Sequence, residues 1–261
     1  MVRILASIAL GMISLLSASA PVAAAATEAM TIPQWETLWS AVLMRYVDQQ
    51  GRIDFFGLAH DPGDLDRVVA FVAETSPSSR SELFPDRNSK LAFYINAYNA
   101  LAMYGVVHTG IPASLGGLRK FTFFYLQKFT LGGKSISLYD LENDVIRPMG
   151  EERIHFALNC MVVGCPRLPR AAFDGSTLEG QLNTAARTFT SESRNVRMDP
   201  SRRAVWLSAI FEFYTKDFLE HDSSLVAYLN RYLNGSIPPD FKVRFFDYDW
   251  TVNGQRRTNP E

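Results

Sequence analysis

Residues 90–107 read as a helix that is apolar around almost its whole circumference, with Asn88 or Ser89 available as its N-cap. A helix of this kind cannot lie on a surface. Other elements must wrap it, and the chain has the means: 261 residues, 47 % of them hydrophobic, suffice for a sizeable core. Two polar residues, Asn96 and Asn99, interrupt the helix three positions apart and share a face. Buried amides need hydrogen-bond partners. Two uses are open: tying neighbouring loops to the core, or facing a pocket and binding a ligand there.

The wrapping elements follow from local pattern. Residues 35–47 and 65–74 are amphipathic helices, the second stopped by Ser76-Pro77. Residues 121–138 form a hairpin turning at Gly132-Gly133, and a short helix over 139–146 is capped by Ser137 with Asp140 three residues on. The apolar run 154–159 is a buried strand. Ser176-Thr177-Leu178-Glu179 is a capping box opening a helix to about residue 190. Residues 195–198 and 204–207 bracket a second hairpin, 210–219 and 225–233 are helical, and 242–250 is a last strand. Strands and helices mix without a βαβ rhythm or repeats. The expected fold is one α+β domain, its buried core helix packed on a mainly antiparallel sheet with further helices around it.

Arg3, the apolar stretch 4–16 and the small residues 17–26 are the three regions of a cleaved secretory signal. The expected organisation is a signal peptide over 1–26, an N-terminal helical segment over 27–89, a core domain over 90–253 and a polar tail over 254–261. The protein is thus expected to be exported, periplasmic or secreted, with no integral membrane segment after cleavage. A net charge of −1 gives no electrostatic reason to expect a nucleic-acid partner. No Gly-rich nucleotide loop and no Gly-x-Ser-x-Gly elbow is present, so no cofactor is expected.

Chemistry concentrates in residues 153–167, which hold both cysteines and one of the four histidines. On a straight strand His155 and Cys160 point to opposite faces and lie roughly 16 Å apart, at ~3.3 Å per residue. Cys165, beyond a loop containing Gly164 and stiffened by Pro166, is better placed to fold back. A thiol nucleophile needs a base, and the base needs an orienting group. Cys165 with His155 as base meets the first need, and Glu142, Asn96 or Asn99 the second. Asn96, Asn99 and Cys160 are the candidate substrate-binding residues. Three other readings stand beside this one: a Cys160–Cys165 disulfide, favoured by export; inert thiols beside a buried histidine; and thiol–disulfide exchange by the pair. A metal site is not expected, because the spacing is unlike the short Cys-x₂-Cys clips of zinc sites.

Five ordered blocks resemble a bacterial and eukaryotic family known as domain of unknown function 547. They are Leu91-Ala92-Phe93-Tyr94-Ile95-Asn96-Ala97-Tyr98-Asn99-Ala100; Ser137-Leu138-Tyr139-Asp140-Leu141-Glu142; His155-Phe156-Ala157-Leu158-Asn159-Cys160 with Gly164-Cys165-Pro166; Ile210-Phe211-Glu212-Phe213-Tyr214 with Asp217-Phe218; and Asp247-Tyr248-Asp249-Trp250. The blocks run from about Lys90 to Asn253. Asn143 stands where the family often has histidine. More distantly, the order of core helix then histidine is similar to that of papain-like and transglutaminase-like cysteine enzymes. There a cysteine opens the helix, which is not so here. The resemblance implies a cysteine-dependent hydrolase or acyl transferase acting on an amide or thioester. The alternative is a non-catalytic module with a structural disulfide, binding a small molecule or peptide.

Overall fold

The computed structural model describes residues 30–255. The expected signal peptide and residues 256–261 of the expected tail lie outside the described residues. The chain forms one α+β domain. Helix α1 (Ile32–Tyr46) opens on a capping box between Thr31 and Gln34, and α2 (Phe55–His60) and α3 (Gly63–Glu74) follow. Helix α4 (Arg87–His108) is the wrapped helix. It starts earlier than its pattern suggests, because Asp86 rather than Asn88 or Ser89 is the N-cap: Asp86 accepts from the Ser89 amide at 2.7 Å, and the Ser89 hydroxyl accepts from the Asp86 amide at 3.2 Å.

At 22 residues, α4 spans about 33 Å at ~1.5 Å per residue. Strands of three or four residues cannot cover that length. Its neighbours are therefore α2, α3 and the segment from Leu138 to Ile146. Helix α5 (Leu118–Phe121) runs into a π-helical turn, Thr122–Leu126, and α6 (Leu138–Asp140) into a second, Leu141–Ile146. The expected hairpin is thus shorter than 121–138: β1 (Phe129–Leu131) and β2 (Lys134–Ile136) pair antiparallel. Gly132 and Gly133 join them at φ 54° and 80°, the left-handed pair a tight hairpin requires.

Helix α7 (Leu178–Ser191) lacks the expected capping box, since Asp174 takes the Ser176 hydroxyl and the Thr177 side chain caps nothing. Strands β3 (Val196–Asp199) and β4 (Ala204–Leu207) form the second hairpin. Residues 210–219 divide into α8 (Ala209–Phe213) and α9 (Thr215–Leu219), followed by α10 (Leu225–Asn230). Strand β5 (Lys242–Phe245) then joins β4 in parallel. Among the described residues no helix is long and apolar enough to cross a membrane.

Buried side chains form two clusters. One surrounds α4; the other gathers Phe156, Phe189, Phe211, Phe218 and Tyr228 with the strand residues Val205 and Leu207. The expected strand over 154–159 lies between them and is not a strand. Glu152–Phe156 is a 3₁₀ turn, with the Glu151 carboxylate accepting from the Arg153 amide at its start. A short apolar run does not distinguish a strand from a buried turn. The turn suits the position: with about three residues per turn, successive side chains point in three directions. Ile154 enters the first cluster and Phe156 the second, while His155, between them, faces a cavity.

Candidate functional site

The cavity has a volume of about 320 Å³. The two π-helical turns contribute Phe124, Tyr125 and Glu142 to its wall; π turns often mark functional positions. His155, Cys160 and Cys165 line the same space, with Tyr98, Phe213, Tyr214, Tyr248 and Trp250. The structure therefore brings together four of the six expected site residues. The expected separation of His155 from Cys160 fails because the intervening backbone coils rather than extends.

Asn96 and Asn99 are outside the cavity. Asn96 donates to the Phe173 carbonyl at 2.7 Å and accepts from its amide at 2.9 Å. Asn99 donates to the Ala157 carbonyl at 3.0 Å and accepts from the Asn159 amide at 2.7 Å. Their amides are fully used in tying two loops to the core helix.

Neither of these asparagines nor Glu142 orients His155. The imidazole Nε2 lies 2.8 Å from Asp217 Oδ2. Asp217 in turn takes a two-pronged bond from Arg147, at 2.8 Å from Nε and 2.7 Å from Nη2. Arg147 also donates to Asn143 Oδ1 at 2.5 Å, so Asn143 is engaged in the same network. Burial raises the Asp217 carboxyl pKa, but the bonds from His155 and Arg147 outweigh it and hold the group well below the usual carboxylate range. Against an ionised Asp217, Nε2 carries the proton. Among the described residues Nδ1 makes no hydrogen bond, and the ring stacks on Tyr214 with centroids 3.7 Å apart.

Glu142 accepts from Tyr214 at 2.5 Å and from Tyr98 at 3.3 Å. It bears on His155 only through the Tyr214 ring. Burial, reinforced by the charge of Glu142, pushes the hydroxyls of Tyr98, Tyr214 and Tyr248 well above their ordinary pKa, so they remain donors. At the mouth Lys120 sits over Trp250, 4.6 Å from its centroid, and over Phe213 at 5.9 Å. Among the described residues no group of three or more His, Cys, Asp or Glu is placed to hold a metal ion.

The sulfur atoms of Cys160 and Cys165 are within disulfide-bonding distance, with Cα atoms 6.3 Å apart. Their loop is held independently of any bridge. Asn159 donates to the Pro166 carbonyl at 2.6 Å and accepts from the Met161 amide at 2.7 Å. The amides of Val163 and Gly164 donate to the carbonyls of Thr251 and Asp249 at 2.8 and 2.9 Å, and Asn253 donates to the Met161 carbonyl at 2.9 Å. Only glycine fits at position 164, where a Cβ would meet the Tyr248 ring at 2.8 Å. That approach puts the Tyr248 hydroxyl 3.3 Å from both sulfurs.

Residues 83–190 match the family described as "Protein of unknown function, DUF547". Over these residues the chain is similar to that family. No curated protein and no solved structure matches the chain, so neither comparison points to papain-like or transglutaminase-like enzymes. The DUF547 match is narrower than the span of the five blocks and supplies Tyr98, Glu142, His155 and both cysteines. The chain beyond it supplies Tyr214, Asp217, Tyr248 and Trp250, so the cavity needs both parts. Asp217, Arg147 and Tyr214 were not singled out from the sequence as site residues. Asp217 stands 62 positions from His155, and nothing local couples them; only its place in an ordered block marked it.

Proposed function

We propose that the chain is a ligand-binding module of an exported protein. Its cavity receives a small molecule or peptide side chain with an aromatic or apolar face. The observation that carries this reading is the pairing of Cys160 with Cys165 inside an aromatic-walled cavity: with the sulfurs bonded to each other, neither is a nucleophile. Export favours that bonded state. A cavity of about 320 Å³ is at the lower end of those that bind small molecules. Phe213, Tyr248 and Trp250 offer ring faces, and Glu142 with its tyrosine donors supplies the polar groups that fix orientation.

Fluorescence of Trp250, assigned with Trp250→Phe, is the direct readout on a set of aromatic fragments. Phe213 is half exposed, so Phe213→Ala should fold. It is expected to weaken binding about tenfold, or ~1.4 kcal/mol. If no fragment binds saturably, or if Phe213→Ala binds every fragment as well as the wild type, the binding reading is lost.

One observation favours a second reading, a cysteine-dependent hydrolase or acyl transferase active after reduction of the pair. Asp217 holds His155 by Nε2, leaving Nδ1 as the nitrogen to take a thiol proton, with Cys165 as nucleophile. In reduced protein, Cys165 is then expected to alkylate with a midpoint well below the ordinary ~8.5, and His155→Gln to move that midpoint upward. A midpoint near the ordinary value and indifferent to His155→Gln removes the hydrolase.

A further inference from the structure

We infer that the Cys160–Cys165 pair, when oxidised, exchanges with a small thiol ligand that carries a ring or apolar body and enters the same cavity. This rests on the ligand-binding reading. Two observations carry it: the asymmetry of the two sulfurs, and the redundancy of the bridge as a clip.

Cys160 is partly open and lines the cavity, whereas Cys165 is only 3 % exposed. An entering thiolate therefore reaches Cys160. The departing sulfur is Cys165: the Cys160 amide donates to it at 3.0 Å, and the Tyr248 hydroxyl, equally near both sulfurs at 3.3 Å, is in place to donate to the thiolate that forms. Stabilising the leaving thiolate speeds exchange. Tyr248 reaches this position only because residue 164 is glycine. As for redundancy, the bridge spans a separation of five residues in a loop already fixed by Asn159, Thr251, Asp249 and Asn253. Opening it leaves the loop in place and the two thiols side by side.

The step balances as follows. The ligand thiolate forms a bond to Cys160 Sγ as the Cys160–Cys165 bond breaks, and the electron pair leaves on Cys165. A second ligand thiolate attacks the ligand sulfur of this mixed disulfide and displaces Cys160. The two cysteines gain two electrons and, on protonation, two protons; two ligand thiols become one disulfide. His155, with Nδ1 unbonded among the described residues, lines the cavity where these protons move.

The test uses the oxidised protein and a synthetic peptide of residues 159–166 closed by the same disulfide, each treated with 2-naphthalenethiol and with 2-mercaptoethanol. For the aromatic thiol the protein is expected to react at least tenfold faster than the peptide; for mercaptoethanol, without a ring, the advantage disappears. With di(2-naphthyl) disulfide, Cys165→Ser is expected to carry the mixed disulfide on Cys160. Tyr248→Phe, which keeps the ring and removes the donor, should slow the protein several-fold. A protein no faster than the peptide with 2-naphthalenethiol overturns the exchange. In that event 2-naphthol, which cannot exchange, separates the two ideas: if it still quenches Trp250 the binding reading survives, and if it does not, both fall.

Discussion

Asp217→Ala is expected to destabilise the protein by about 3 kcal/mol, the lower end of what removing one partner from a buried charged pair costs. The lower end applies because the Arg147 and Asp217 side chains keep 28 % and 20 % exposure. Alanine leaves the Arg147 guanidinium without its fork and His155 Nε2 without an acceptor. For a domain of this size the loss corresponds to roughly 6–12 °C in melting temperature. The effect has a defined pH dependence. Folding lowers the Asp217 pKa, so in acid the unfolded chain binds the proton more tightly, and stability rises with pH up to the ordinary carboxyl value of ~3.9. The contribution is complete above that value and is lost as pH falls towards the folded one. Urea unfolding of wild type and variant should therefore differ most at neutral pH and converge below about pH 4. Equal stabilities at pH 7 would show that the network contributes nothing.

A loss of about 3 kcal/mol is also expected for Asn159→Ala, by a different mechanism. Asn159 is fully buried, and its side chain satisfies the Met161 amide and the Pro166 carbonyl. Removing it orphans both, at about 1–3 kcal/mol each. Met161 is at φ 67°, a left-handed conformation that costs a non-glycine residue roughly 1–2 kcal/mol and is held by those bonds. Thermal unfolding of wild type and variant in oxidising buffer checks this. If Asn159→Ala unfolds like the wild type, the loop is held by the disulfide instead, and the bridge is a structural clip after all.

How much of this was legible depended on the range of the forces involved. The core helix, the Gly132-Gly133 turn, the Ser137–Asp140 cap and the hairpin about Asp199-Pro200 are set by neighbours within a few positions, and the sequence shows them. The segment 154–159 has the local pattern of a strand and is not one, for the complementary reason: its apolar residues serve two clusters lying on different sides, and no periodicity records which side each faces. The α7 capping box failed because Asp174, outside the four-residue motif, competes for Ser176.

The candidate site divides along the same line. The sequence by itself determined which residues are chemically capable, His155, the two cysteines and Glu142, and that a helix polar only at Asn96 and Asn99 must be wrapped. The tertiary structure decided what each of them does. It spent both asparagines on loop backbones, gave His155 to Asp217 rather than Glu142, and set Tyr248 against both sulfurs. Those pairings join residues 58 to 88 positions apart, and the physical reason is plain. Hydrogen bonds and ring contacts act over a few ångströms in space, and only packing of the two hydrophobic clusters brings such distant positions within that range.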